Sequence, residues 1–296
     1  MFINLNLLLG ATELGLIYAI MALGVYLTFR TLDFPDLTVD GSFTLGAAVS
    51  AVLIAGGHSP WLGLLLAPVA GILAGLATGV LHTRFKITPL LAGILTMTAL
   101  YSVNLRVMGK ANVPLLGLPS IYDTLARSGI PEKYAVLAFG VGCVVLLVFL
   151  LYWLFQTELG LALRATGDNE TMIKSLGING NSMKLLGLGL GNGLVALSGA
   201  AIAQFQGFAD MSMGIGMIIA GLASVIIGEV LLGSRSLLRV LIAVVGGSVV
   251  YRVIIAIVLR LGFQATDMKL FTAALVVLAL TVPQFRGKQE YDSLRR

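Results

Sequence analysis

Four ionisable side chains stand inside long apolar stretches of this sequence, where a charge is costly. They are Glu13, Asp40, Glu229 and Arg252. A charge at the centre of a membrane costs at least ~2.5 kcal/mol, so such residues usually pair with one another or line a polar path. Arg252 could pair with Glu229 or with Glu13 and hold helices together, whereas Glu229 and Asp40 could lie near a membrane surface. These four side chains could therefore form ion pairs between helices or line a path for a solute.

A second polar group lies in the segment TPLLAGILTMTALYSVNLRV, residues 88–107. Thr98, Ser102 and Asn104 gather toward its C-terminal half. Hydroxyl and amide side chains in an apolar helix either face a polar pathway or hydrogen-bond within the helix and to its neighbours. The sequence favours neither interpretation over the other.

Residue sets suited to catalysis or to metal binding are missing from the sequence. His58 and His82 are isolated, and Cys143 is the only cysteine. The glycine run GLGLGNG (187–193) is not followed by the Lys-Ser or Lys-Thr of a phosphate-binding loop. Close packing of membrane helices explains that run instead. We therefore expect no enzymatic activity, no metal and no cofactor in this chain.

The elements that position these residues are predicted to be membrane helices. Hydrophobic residues make up 58% of the 296 positions and charged residues only 11%, whereas about a quarter of a soluble domain is charged. The formal charge of +5 fits lysine and arginine on the cytoplasmic side rather than a nucleic-acid partner. The first basic residue is Arg30, so a cleaved signal peptide is not expected.

Nine apolar runs are each about long enough to cross a bilayer, which takes roughly 20 residues. We therefore predict an all-α, polytopic membrane helix bundle that forms a single domain over residues 1–296. Two of the runs begin with polar, glycine-containing sequence and could be broken or re-entrant: 36–55 and 213–232. The remaining seven are 7–29, 61–81, 88–108, 134–155, 184–206, 239–260 and 267–284.

The distribution of basic residues predicts an orientation. With the N-terminus outside, twelve lysines and arginines fall on the inner side and six on the outer side. Because basic residues accumulate in cytoplasmic loops, the bias favours an external N-terminus and a cytoplasmic C-terminus. The polar interval 159–184 then faces the cytoplasm, and the loop 109–133 faces outward.

A faint internal repeat relates the two halves of the chain. PDLTVDGSFTLGAAVSAVLIAG (35–56) resembles ADMSMGIGMIIAGLASVIIG (209–228) in its aspartate, polar lead and small-residue helix. In the predicted topology one copy starts inside and the other outside, so the halves 7–108 and 184–284 would be inverted repeats, a pattern typical of transporters. Chance likeness between two glycine-rich helices is the alternative.

The polar interval 159–184 has the marks of one short helix. Asp168 or Asn169 can cap its N-terminus, since a short side-chain oxygen accepts a free backbone N–H. Glu170 stands in the first turn, where a negative charge suits the helix dipole. Gly177 follows the last turn, the usual place for a left-handed residue.

Three apolar side chains fall along one side of this short helix: Met172, Ile173 and Leu176. Helices of fewer than about 12 residues are marginal in water, so this one needs a partner to bury its apolar side. That partner could be the chain's own loops or a separate cytoplasmic subunit.

At this point the sequence resembles the ABC-transporter permeases of the branched-chain amino acid and ribose type. The block GLALRATGDNETMIKSLGINGNSMKLLGLGLGNGLVALSGA (160–200) is similar to the central signature of that family, and the likeness extends from about residue 7 to 285. LTVDGSF (37–43) and GLASVIIG (221–228) stand where members have glycine-rich helices. The matching positions in the central block are Gly160, Arg164, Ala165, Gly177, Ile178, Ser198, Gly199 and Ala200.

The resemblance implies that the short helix, within a coupling loop 156–184, is a coupling helix that seats in a groove of an ATPase subunit. Its contact residues would be Arg164, Asp168, Asn169, Glu170, Met172, Ile173, Leu176 and Gly177. Arg252 has no counterpart that we associate with the family, so the lining of the path could differ here.

The resemblance also implies the partners. They are a cytoplasmic ATPase, which binds ATP and magnesium, an extracytoplasmic solute-binding protein and a second copy of the chain, in a bacterial inner membrane. The branch associated with aromatic amino acid uptake also shows FPDLTVDGSF (34–43), which suggests an amino acid as substrate. A sugar or nucleoside permease, an ion-coupled secondary transporter and a non-transporting assembly factor are the alternatives.

Overall fold

A computed structural model describes residues 5–233 and 236–263, together with 270–274, 277 and 281. Residues 5–233 and 236–263 form eleven α-helices, a π-helical extension of the first helix at Tyr26–Thr31 and two short strands. The helices are α1 Leu5–Val25, α2 Thr38–Ala55, α3 Pro60–Thr83, α4 Pro89–Met108, α5 Ile121–Arg127, α6 Glu132–Gln156, α7 Glu158–Asp168, α8 Glu170–Ser175, α9 Gly180–Gln206, α10 Met217–Leu232 and α11 Leu237–Arg260; the strands are β1 Asn112–Pro114 and β2 Phe208–Asp210.

The predicted membrane helix bundle is confirmed. Seven helices of the described chain are long and apolar enough to cross a membrane, and α10 is a shorter apolar helix of 16 residues. Eight of the nine predicted runs therefore correspond to helices. The ninth, 267–284, is described only at positions 270–274, 277 and 281, all of which are helical.

α9 is the central helix, in contact with α1, α2 and α3. Small residues allow these helices to approach closely. A Cβ atom at Gly46 of α2 would overlap the carbonyl of Ala196, and one at Gly199 would overlap the carbonyl of Phe43. Close backbone approach of this kind is how small residues promote association of membrane helices. It also accounts for Gly191, in the glycine run, which packs against the Gly24 carbonyl.

The bundle has two distinct ends. We call the end that carries α7 and α8 the α8 end and the end that carries β1 and β2 the sheet end. Lys184, near the start of α9, lies at the α8 end through its contact with Glu170. Gln204, near the finish of α9, lies at the sheet end, where its side chain meets the carbonyl of Pro60 and the backbone N–H of Ile121.

Two helices begin in the interior of the bundle rather than at either end. The start of α2 lies at the middle of α9, because Ser42 and Asp36 both hydrogen-bond Asn192. α10 begins beside Asp40 of α2 and ends where Glu229 pairs with Arg30 at the α8 end. α2 therefore leads toward the sheet end and α10 toward the α8 end.

The loop 109–133 is ordered, with structure that the sequence does not predict. β1 pairs with β2 in an antiparallel ribbon that joins residues almost a hundred positions apart. α5 follows, with a capping box between Ser120 and Asp123. Tyr122 anchors α5 to the bundle by donating its hydroxyl hydrogen to the Ala201 carbonyl at 3.0 Å.

Candidate functional site

The coupling loop folds into two helices where the sequence predicts one. α7 precedes the short helix and is capped by the Thr157 hydroxyl, which accepts from Gly160 N–H at 3.3 Å. α8 begins at the cap Asn169, whose Oδ1 accepts from Met172 N–H at 3.0 Å. Of the two proposed caps, Asn169 is therefore the one used, and Asp168 is the last residue of α7.

Gly177 stops α8 in the way the sequence suggests. Its φ is +79°, a left-handed conformation that glycine adopts without strain. The amide of the next residue, Ile178, then reaches back to the carbonyl of Ile173 at 3.2 Å. The chain thus turns directly from α8 into α9, which fixes where α8 stands on the bundle.

Glu170 ties α8 to α9 through ion pairs. Its carboxylate accepts from Lys184 Nζ at 2.7 Å and from Lys174 Nζ at 2.8 Å. Hydrogen bonds from Lys174 and Lys184 lower the pKa of Glu170 to about 2. Lys184 also lies 3.3 Å from Nε2 of His82, at the end of α3. The Glu170 carboxylate therefore joins α8 to α9 directly and to α3 only through Lys184.

The apolar side chains of α8 divide between the solvent and the bundle. Met172 is 46% exposed and Leu176 67% exposed, whereas Ile173 is only 2% exposed. The expectation that all three face a partner is therefore wrong for Ile173, because α8 packs on α7 and α9 and one apolar residue faces inward. Arg164 is exposed on α7.

A cavity of about 390 Å³ lies beside the start of α2, between α2, α4 and the segment that precedes α10. It brings together three of the polar residues singled out from the sequence: Asp40, Thr98 and Asn104. Its walls are otherwise mostly apolar and include Tyr101 and Met97. Ser102, which we grouped with these residues, is exposed on α4 and does not line the cavity.

Asp40 caps α10 from another helix. Its two carboxylate oxygens accept from Gly216 N–H at 2.8 Å and from Ile218 N–H at 2.9 Å. These are backbone donors that the first turn of a helix leaves without partners. A carboxylate at a helix N-terminus also suits the helix dipole. Asp40 thus positions α10 and lines the cavity with the same side chain.

Asn104 contributes the least satisfied polar group in the cavity wall. Its Nδ2 donates to the Gly41 carbonyl at 3.2 Å, while its buried Oδ1 has no partner among the described residues. Thr98 differs, because its hydroxyl is used within α4, on the Ile94 carbonyl at 2.8 Å. A buried polar atom without a partner is an exception in folded proteins, and this one marks Asn104 as unusual within the cavity wall.

A buried polar network beside the cavity was missed by the sequence interpretation. Asn192 Nδ2 donates to Asp36 at 2.6 Å, and Asn192 Oδ1 accepts from Ser42 at 2.7 Å. Thr38 and Thr78 meet at 2.6 Å one turn away. Asn192 belongs to the glycine run 187–193, and only the glycines of that run were considered in the sequence analysis. An amide inside a membrane helix is nevertheless itself a sign of interhelical hydrogen bonding.

The predicted ion pairs of Arg252 are not formed. Glu229 pairs with Arg30 at 3.0 Å, and Glu13 makes no ion pair within the described residues. The Arg252 guanidinium instead lies 3.4 Å from the ring centroid of Tyr18, a cation–π contact between α11 and α1. The two alternatives named from the sequence involved only carboxylates, so the aromatic partner was overlooked.

Comparison with known proteins decides the family. A family model described as the permease component of the branched-chain amino acid transport system matches residues 7–281. The chain belongs to this family of ABC-transporter permeases. It is therefore a multi-pass transport subunit and not an enzyme.

The permease has relatives in several bacteria. It is 46% identical over 266 residues to the tyrosine transport system permease protein of Clostridioides difficile (strain R20291), a match that covers 90% of this chain and 88% of the relative. It is 33% identical over 283 residues to an uncharacterised protein of Rickettsia prowazekii, with 94% and 98% covered. It is 26% identical over 268 residues to the autoinducer 2 import system permease protein LsrC of Escherichia coli O9:H4, with 90% and 75% covered.

Proposed function

We propose that this permease forms the membrane path of an ATP-driven importer for an aromatic amino acid, with tyrosine as the first candidate. The observation that carries the substrate is the 46% identity to a tyrosine transport system permease protein over 90% of the chain. The cavity beside Asp40 supports an amino acid as substrate, since its apolar walls include Tyr101 and a polar group is available at Asn104.

The cavity beside Asp40 is the proposed solute path. Its volume of about 390 Å³ admits a single small solute, and Asn104 places an amide side chain in its wall. Asp40 is already committed to two backbone donors. It therefore acts mainly by holding the start of α10 against the cavity.

α8 is the proposed docking element for a cytoplasmic ATPase subunit, which supplies ATP and Mg²⁺ chemistry. Met172 and Leu176 present an exposed apolar surface, and Ile173 and Glu170 fix α8 to the bundle behind it. Movement of the ATPase would then reach α9 through the Glu170–Lys184 pair. Asn192 on α9 connects onward to α2 and the cavity.

The location, oligomeric state and orientation that we propose are those expected from the sequence. We place the permease in a bacterial inner membrane as a homodimer, with the N-terminus outside and the C-terminus and the α8 end in the cytoplasm. A solute-binding protein would dock at the sheet end. The opposed directions of α2 and α10 from their contact at Asp40 support the inverted repeat of residues 7–108 and 184–284.

The test is transport by the purified system in proteoliposomes. The permease is reconstituted with its cognate ATPase and solute-binding protein, and ATP-dependent uptake of labelled tyrosine is measured with excess unlabelled tyrosine, phenylalanine, leucine or ribose as competitor. We expect uptake that phenylalanine or tyrosine competes and that ribose does not. ATP-dependent uptake competed only by ribose or by branched-chain amino acids would overturn the substrate. Uptake by the permease alone under an ion gradient would overturn the importer.

A further inference from the structure

Two adjoining cavities lie along the junction of α6 and α11, away from the cavity beside Asp40. The first is an apolar groove of about 570 Å³ within the spans, lined by Val145 and Phe149 of α6 and Ile242 of α11. The second, also about 570 Å³, lies where the two spans end at the α8 end of the bundle. Tyr152 and Leu238 line both cavities, so the groove opens directly into the second space.

The second cavity has a different chemistry from the groove. Gln156, Arg164 and Ser236 give it polar walls. Arg164 is exposed, and within the described residues no carboxylate lies at salt-bridge distance from it. A guanidinium of this kind can donate two parallel hydrogen bonds to a phosphate. Among the described residues, the positive charge thus stands at the mouth of an apolar groove without a counter-ion.

The dimensions fit a lipid rather than a water-soluble solute. From Val144 to Tyr152 the groove follows α6 for about 12 Å at 1.5 Å per residue, close to the ~15 Å depth of one leaflet of a bilayer core. The polar cavity stands at the end of the spans, where a headgroup resides. Basic pockets between membrane helices are known to select anionic headgroups.

We propose that the junction of α6 and α11 is a binding site for one anionic phospholipid. An acyl chain lies in the groove past Val145 and Ile242, and the phosphate of the headgroup accepts hydrogen bonds from Arg164. Because Arg164 stands on α7, directly before α8, the lipid braces the helix that leads into the coupling loop. This site is separate from the solute cavity and does not depend on which solute is carried.

The test compares lipids on the full-length purified permease by native mass spectrometry. The protein is exchanged into equimolar phosphatidylglycerol and phosphatidylcholine of the same acyl chains, and the fraction that retains one lipid of each kind is measured. We expect a clear preference for phosphatidylglycerol. Arg164→Gln should lower that preference about fivefold, the usual contribution of one basic residue near a charged membrane surface. The matched variant Arg84→Gln, an exposed arginine at the end of α3, should leave it unchanged.

A second pair of variants tests the groove. Val145 is 63% exposed within it, and Val145→Trp should fill the space and reduce retention of both lipids. Leu146, 56% exposed on the same helix but outside the groove, provides the control Leu146→Trp. Glycerol phosphate without acyl chains should not compete. Equal retention of both lipids by the unaltered permease, an Arg164→Gln preference equal to that of Arg84→Gln, or full competition by glycerol phosphate would each overturn the proposal.

Discussion

Single side chains in this permease hold distant elements together, and Glu170 is the clearest case. It is partly exposed, yet it pairs with Lys184, whose side chain is only 14% exposed. Exposed pairs such as Glu170–Lys174 contribute little, because solvent screens them. The pair with Lys184 is the one that fixes α8 to α9.

The low pKa of Glu170 predicts a pH dependence for α8. Its pKa falls from 4.5 to about 2 in the folded chain. A lowered pKa means that the ion pairs stabilise α8 fully above pH 4.5 and lose this contribution as the pH falls from 4.5 toward 2. Hydrogen exchange of residues 169–178, corrected for intrinsic rates, should therefore show reduced protection over that interval. Glu170→Gln should remove the pH dependence; the same acid transition in that variant would contradict the assignment.

The roles of some residues could be predicted because they depend on neighbours in the sequence. The roles of others depend on tertiary contacts and could not be predicted. The Asn169 cap and the Gly177 stop follow from side-chain reach and backbone freedom within a few residues of sequence. The partner of Arg252 does not, because Tyr18 lies more than two hundred residues away and meets it only after α1 and α11 have packed. Carboxylates were considered first as its partners, yet an aromatic face also satisfies a guanidinium.

At the scale of whole elements, too, the sequence predicted some features of the fold and missed others. Apolar length alone identified seven spans, because a bilayer requires about 20 residues. The β1–β2 ribbon had no local signal, since three-residue strands carry almost no pattern and their partners are far apart in sequence. α7 was not predicted as a separate helix, because its residues were treated as part of the polar interval 159–184. The interior start of α10 was suspected from its polar lead, but the role of Asp40 as its cap was not.

The cap on α10 predicts a measurable loss of stability. Asp40→Asn leaves one acceptor oxygen where two now bind Gly216 and Ile218 N–H, and it removes the favourable charge. Loss of a helix cap costs about 1 kcal/mol, which should appear in the free energy of unfolding measured by denaturant titration in micelles.

The matched control for this cap is Thr98→Val. Thr98 lines the same cavity, but its hydroxyl donates within its own helix, to the Ile94 carbonyl. We expect its unfolding free energy to stay within about 0.5 kcal/mol of the unaltered permease, as is usual for changes away from buried contacts. Equal losses in Asp40→Asn and Thr98→Val would show that Asp40 has no special role at α10.

The whole molecule is organised around two ends, and its orientation can be measured directly. In a Cys143→Ala background, Ser128→Cys places an exposed thiol at the sheet end and Ser175→Cys places one at the α8 end. We expect a membrane-impermeant maleimide to label Ser128→Cys in intact cells and Ser175→Cys only after permeabilisation, as the excess of basic residues in cytoplasmic loops predicts. The reverse pattern would invert the proposed topology.

We propose that α8 receives the ATPase at one end of the bundle and that the cavity beside Asp40 carries the solute in its interior. The most direct measurement follows substrate-stimulated ATP hydrolysis and tyrosine uptake separately, in proteoliposomes that hold the complete transporter with Met172→Asp and Leu176→Asp combined. Both side chains are exposed, so the membrane fold should persist. We predict that uptake and substrate-stimulated ATP hydrolysis are both lost, while Leu116→Asp, at an 85% exposed residue of the sheet end, retains ATPase binding. Undiminished substrate-stimulated hydrolysis in the α8 variant would contradict the account.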